Sequence, residues 1–271
     1  MKKLMNVMLV MALAAFANAG VMESFEYDSG ELAGGNGGTG WPSGWTDNYS
    51  RNGGNYAVNT EGLTHASLTG EAGNAVFSPG DGTRYQRNLD QMYDSGTVFL
   101  SFLMQGTTAE DDPYSAIELQ SGKDADSGRV FQIGILRSDD GIGNSKDPSQ
   151  RNEEFYATSR TGVGGGRLAS VKLSDFDTNV NLYVVRFDLD TDIASVYFNP
   201  DDATDLNTGG IALDLYAGFS FDRVGLANFV GSNGTAIDEI RVDTIAPVLV
   251  PEPATMSLLG LGALFLNRKK R

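Results

Sequence analysis

Between Val21 and Asp243 the chain shows no long segment with apolar residues at helical spacing; short apolar runs bounded by Gly, Asn, Asp and Pro dominate instead. In LYVVRFDLDTDIASVYFNP, Tyr183, Val185, Phe187 and Leu189 alternate with positions that become polar at Arg186 and Asp188. A period of two places the first set on one face of a strand. The Asp-Thr-Asp that follows breaks the run before Ser195–Phe198, which predicts a β-hairpin with one face inward. TVFLSFLM (97–104) is apolar at both parities, as expected of a central strand covered on both sides.

Further runs lie at 21–27, 56–60, 114–120, 129–136, 153–159, 167–173, 221–230 and 236–243. Strands at this density with turn signals between them predict an all-β sandwich. Gly34–Gly54 reads as a long Gly/Asn-rich loop, and Ser138–Asn152 as a second polar connection. Neither is long enough to separate domains, so residues 20–243 form a single sandwich domain. Residues 244–250 form a short stiff linker, because the closely spaced prolines from Pro247 onward cannot continue a sheet.

The ends add a destination. Residues 1–19 carry Lys2 and Lys3, an apolar run from Val7 to Phe16, and Ala17 and Ala19 around Asn18. That order is a secretory signal peptide, cut by signal peptidase to leave Gly20 as the mature start. The chain has no cysteine, which excludes thiol catalysis, Cys-zinc sites and disulfide stapling. Residues 20–250 hold 14 Lys and Arg against 34 Asp and Glu, a net charge of −20. A body this acidic, without a basic stripe rich in aromatics, is not a nucleic-acid binder.

Ala254–Leu266 is a run of thirteen mostly apolar residues, followed by Arg268, Lys269, Lys270 and Arg271. As a short helix rising about 1.5 Å per residue it would reach about 20 Å, short of the ~30 Å bilayer core. Pro251, Glu252 and Pro253, this stretch and the basic end together resemble the PEP-CTERM sorting tail of Gram-negative bacteria, over residues 251–271. The resemblance implies that exosortase, a membrane enzyme, recognises Pro251-Glu252-Pro253. It further implies transient membrane contact during sorting to the cell surface or an exopolysaccharide matrix.

The early VMESFEY, the hairpin at 182–200 and the late FDRVGLANFVGSNGTAIDEIRVD resemble concanavalin A-like, laminin G-type jelly rolls. That likeness implies that the first and last strands lie close together. Glu26, Asp28 and Glu31 match the E-x-D-x-x-E spacing of some glucanases of this fold. Those enzymes carry their carboxylates on one extended strand, whereas Ser29-Gly30 here is a turn signal. The acids are expected at a solvated strand end.

Gly35-Asn36-Gly37-Gly38-Thr39-Gly40 fits a dinucleotide fingerprint, but Trp41-Pro42 follows where a helix should open. The loop holds both tryptophans of the chain, Trp41 and Trp45. Their rings either stack on sugars or plug the end of the sandwich, the second being preferred; Tyr49 and Tyr56 share that ambiguity. Asp188, Asp190 and Asp192, and Asp124 with Asp126, are spaced so that they can converge on calcium, although a turn is the preferred role for the first set. His65, the only histidine, reads as a polar loop or strand residue. These readings converge on an exported, surface-sorted, non-enzymatic sandwich with carbohydrate binding as its candidate activity. A glycoside hydrolase or lyase on the same fold and a purely structural matrix protein stay open as alternatives.

Overall fold

The computed structural model describes residues 20–50, 56–59, 61–68, 73–78, 82–106, 114–122, 128–137, 153–229 and 235–249. Residues 1–19, where a signal peptide is expected, and residues 250–271, including Pro251, Glu252, Pro253 and the basic end, lie outside them. The described residues form sixteen strands and no helix, arranged as two antiparallel sheets.

One sheet runs in the order β14 (Ile211–Asp214), β13 (Ile193–Phe198), β12 (Val180–Asp188), β7 (Thr97–Gly106), β16 (Thr235–Asp243), β5 (Ala75–Ser78), β4 (Ala57–Asn59), β2 (Gly30–Glu31). β1 (Val21–Glu23) is its ninth strand and pairs with the second half of β16, Val21 opposite Val242. The other sheet has seven strands: β11 (Arg167–Asp175), β10 (Glu153–Arg160), β9 (Arg129–Arg137), β8 (Tyr114–Gln120), β15 (Phe221–Phe229), β6 (Thr83–Tyr93), β3 (Thr46–Ser50).

The inner faces supply the main core. Leu100, Phe102 and Met104 of β7 and Tyr183, Val185 and Phe187 of β12 meet Ile117 and Leu119, Ile133 and Ile135, and Val224 and Leu226 of the second sheet. β7 is buried along almost its whole length. Its other parity, Phe99 and Leu103, joins Leu182, Val184 and Tyr197 on the outer face of the nine-stranded sheet, beneath Leu63, Leu68 and Leu206. Strand β7 is thus central and double-sided, β12 and β13 form the expected hairpin, and β1 closes on β16.

The sequence reading changes at four points. The run at 21–27 is a strand only to Glu23, because Phe25 takes φ 51° and turns the chain. The loop from Gly34 to Gly54 contains β3, which borders β6. β6, eleven residues long, was not anticipated at all, since its inward positions include Arg87 beside Tyr85 and Leu89. The linker also rests on the body: Ala246 and Leu249 pack against the outer apolar cluster.

Candidate functional site

The alternation that sends Ile117 and Leu119 inward sends Tyr114, Ala116, Glu118 and Gln120 to the outer face of the seven-stranded sheet. The same parity places Arg84 on β6, Gln132 on β9, Tyr156 and Arg160 on β10 there, as the registers Arg84–Ala227, Glu118–Gln132 and Gly225–Glu118 require. Glu118 is fully buried. Its Oε2 lies 2.9 Å from Arg84 Nε and accepts from Gln120 Nε2 at 3.3 Å. Its Oε1 accepts from Arg84 Nη2 at 3.2 Å, Tyr114 Oη at 3.1 Å and Gln132 Nε2 at 3.1 Å, with Arg129 Nη1 at 3.8 Å. Gln132 passes the network on, its Oε1 accepting from Arg160 Nε at 3.1 Å and Nη2 at 2.5 Å.

Gly225, opposite Glu118, clears the path: a Cβ there would stand 2.6 Å from Gln120 Nε2. Next to the polar lattice, Tyr114, Ala116, Leu136 and Ala227 make a small apolar floor with Tyr156 against it. Burial, with the hydrogen bond to Glu154, pushes the Tyr156 hydroxyl up to about 12, against the opposing charges of Lys172 and Arg167. Several buried polar atoms on this face have no protein partner, among them Gln86 Oε1, Gln120 Oε1, Arg129 Nε and Arg167 Nε. Buried polar atoms are almost always paired, so these are exceptions within the network.

Both tryptophans are drawn into a different construction. Glu23 and Arg87, from opposite sheets, form an ion pair inside the sandwich, each at most 1% exposed. Glu23 also accepts from Phe25 N, Tyr27 Oη and Trp45 Nε1. Arg87 donates to Ser43 O at 2.6 Å, Asn36 Oδ1 at 3.1 Å and Gly37 O at 2.9 Å. Its guanidinium lies 4.7 Å from the Trp41 ring centroid and 5.9 Å from that of Trp45. The glycine-rich loop therefore winds around a buried cation, and Gly38, at φ 71°, passes Met22 O so closely that a Cβ would stand 2.3 Å from it. Trp45 is 1% exposed and presents no face to a sugar; Trp41 is half-buried, with its indole N–H bonded to Met22 O. Tyr56 is likewise buried.

The aspartates of the hairpin turn have separate occupations. Asp188 meets Arg186, Asp190 accepts from Gly96 N at 3.0 Å, and Asp192, at φ 55°, accepts from Gly218 N and Phe219 N. Among the described residues no group of three His, Cys, Asp or Glu is placed to hold a metal ion. Asp124 and Asp126 lie outside the described residues. Glu26 and Glu31 are both exposed, one on the bend after β1 and the other on the edge strand β2. They do not share a strand, as the turn signal between them implies.

Sequence reasoning missed Arg84, Glu118, Gln132 and Arg160. The signal available was the alternation in YSAIELQ and RVFQIGIL, which marks one face as polar but gives no sign that this face is buried.

The last residues, 249–271, match the model of the PEP-CTERM protein-sorting motif. No curated protein sequence matches the chain. Among solved structures, the chain is similar to the globular domain of T. cruzi calreticulin, at 11% identity and TM-score 0.54, covering 83% of this chain and 89% of that one. It is also similar to a legume lectin-like domain from Entamoeba histolytica, at 9% identity and TM-score 0.41, covering 70% and 90%. The potassium-bound carbohydrate recognition domain of Emp46p follows at 13% and 0.44, covering 74% and 89%. At 11% identity the likeness to the calreticulin domain is one of fold: the body is a concanavalin A-like jelly roll of two antiparallel sheets.

Proposed function

We propose that the protein is exported and sorted by exosortase to the cell surface or an extracellular polysaccharide matrix, where its sandwich binds carbohydrate without catalysing a reaction. The observation that carries the binding reading is the polar lattice around Glu118. Sugar hydroxyls donate and accept at once, and this face carries amides and guanidinium groups beside a small apolar floor. Gln86 Oε1 and Gln120 Oε1 are acceptors without a protein donor. The sorting reading rests on Pro251, Glu252 and Pro253 within the matched motif, together with the signal peptide expected at residues 1–19.

A hydrolase on this fold needs two carboxyl groups flanking the scissile bond. The Glu118 oxygens are already engaged by Arg84, Tyr114, Gln120 and Gln132, which favours a binding role. Binding of the purified chain to an array of bacterial polysaccharides tests the reading. Gln120→Ala and Gln132→Ala are expected to weaken the best ligand by about tenfold, the loss of one or two hydrogen bonds, while Trp41→Ala leaves its affinity unchanged. Loss of binding only in Trp41→Ala moves the site to the glycine-rich loop. Release of reducing ends makes the protein a hydrolase, and an array with no ligand leaves the matrix-protein role.

A further inference from the structure

Asp243 closes β16, and its carboxylate holds both ends of the body at once. Oδ2 accepts from Gly20 N at 3.2 Å and Oδ1 from Ile245 N at 3.0 Å, so one side chain joins the entry to β1 with the start of the linker. The antiparallel register sets Val21 opposite Val242, which brings Gly20 across from Asp243. Glycine is what permits the approach: a Cβ at this position would stand 2.3 Å from Val242 O and 2.6 Å from Asp243 Cγ. The strand fastened in this way is the one that carries Glu23 into its ion pair with Arg87.

Among the described residues no Lys or Arg side chain forms an ion pair with Asp243. Arg241, two residues back on the same strand, directs Nη2 to Glu239 at 2.6 Å instead. The Tyr93 hydroxyl is held in its neutral form, its pKa raised by burial and then by the charges of Asp90 and Asp243, against a hydrogen bond with Gln91. Gly20 and Asp243 are both half-buried, and Val21, Phe99, Ile245 and Pro247 border the same cavity. Apolar walls reduce the screening that an open surface would impose on a charge placed here.

Hydrolysis of the Ala19–Gly20 peptide bond consumes one water, which supplies an oxygen to the Ala19 carboxylate and two hydrogens to the Gly20 nitrogen. That nitrogen passes from a neutral amide with one N–H to an ammonium with three and a unit positive charge. We infer that Asp243 is the receptor for this new amino terminus, so that removal of the signal peptide creates an ion pair that locks β1 and the start of the linker onto the end of β16. The inference rests on the signal-peptide reading above and adds a consequence of the cut for the folded body. A charge-assisted hydrogen bond is roughly twice as strong as a neutral one, so the same contact holds the processed chain more firmly than the unprocessed one.

The test uses the exported chain, its amino-terminal residue identified by sequencing, beside the same chain acetylated at the α-nitrogen, which keeps one N–H and loses the charge. The α-amino group is expected to titrate in the native protein above its usual range of about 7.7–8.0, as followed by NMR, and to return to that range in Asp243→Asn. At pH 7 the free-amine chain should melt about 1–3 °C above the acetylated one. A raised folded-state pKa adds stability below the unfolded value and loses it as pH rises through the folded one, so this gap should close by about pH 10. It should also be absent in Asp243→Asn, and Gly20→Ala should return the amine to its usual range. An α-amino group that titrates in its usual range in the native chain, or a melting gap that persists in Asp243→Asn, overturns the receptor role and leaves the signal peptide standing. An exported chain that begins at any residue other than Gly20 removes the donor, and the inference and the assigned cleavage point fail together.

Discussion

At the scale of single residues, the side chains that matter most are charged and out of sight. Glu23 and Arg87 join the two sheets through the sandwich interior, and every donor group of the guanidinium has an acceptor: the carboxylate, Tyr27 Oη, Ser43 O, Asn36 Oδ1 or Gly37 O. Taking such charges out of water costs several kcal/mol per ion, which the pairing offsets only when it is complete. Arg87→Met leaves the Glu23 carboxylate buried without its cation and also removes the scaffold of the glycine-rich loop. It is expected to destabilise the fold by about 3–5 kcal/mol. Urea unfolding followed by tryptophan fluorescence reads this directly, because Trp41 and Trp45 both border the guanidinium. An unchanged midpoint would show that the loop stands without it. The exposed contacts of Lys172 with Glu154 and Asp175 are of another kind, since water screens them, and their removal should matter little.

At the scale of elements, the loop at 61–68 covers the outer face of the nine-stranded sheet with Leu63 and Leu68, and His65 ties it to Asn199 at the end of the β12–β13 hairpin. Burial holds the His65 imidazole below its ordinary pKa, with the Asn199 bond acting in the opposite sense. As pH falls below about 6.5, the unfolded chain takes up this proton before the folded one does, so stability declines with acidification until the folded form is protonated as well. His65→Gln should flatten the difference in urea midpoint between neutral and mildly acidic buffer. If variant and native chains show the same difference, His65 is not a source of it. The hairpin beside this loop was legible from the sequence because its apolar residues alternate cleanly and Asp190 and Asp192 occupy a turn. β7 was legible because both its faces are apolar. β6 was not, because TRYQRNLDQMY buries Arg84 on one face and Arg87 on the other, and sequence alternation cannot distinguish a buried arginine from a solvated one. The candidate face was hidden for the same reason: Glu118, Gln120 and Gln132 read as an ordinary polar exterior until their partners across the strands are known.

At the scale of the whole molecule, the two ends of the body meet. Gly20 N lies 3.2 Å from Asp243 Oδ2, and Ile245, Ala246 and Pro247 border a cavity of about 380 Å³ with Val21, Phe99 and Arg241. Truncation after Leu249 keeps this packing and should unfold cooperatively, like the full chain. Truncation after Asp243 uncovers the outer apolar cluster where Ala246 and Leu249 rest, and is expected to cost about 1–3 kcal/mol; equal thermal midpoints for the two would assign the linker no part in the fold. The strand order carries a further consequence, for the timing of assembly. β15 lies between β8 and β6 in one sheet, and β16 between β7 and β5 in the other, so the middle of each sheet comes from the last fifth of the sandwich sequence. A chain synthesised amino end first holds two half-sheets with open edges until residue 243 arrives. The body becomes a finished object only as the segment bearing the sorting motif follows it from the ribosome.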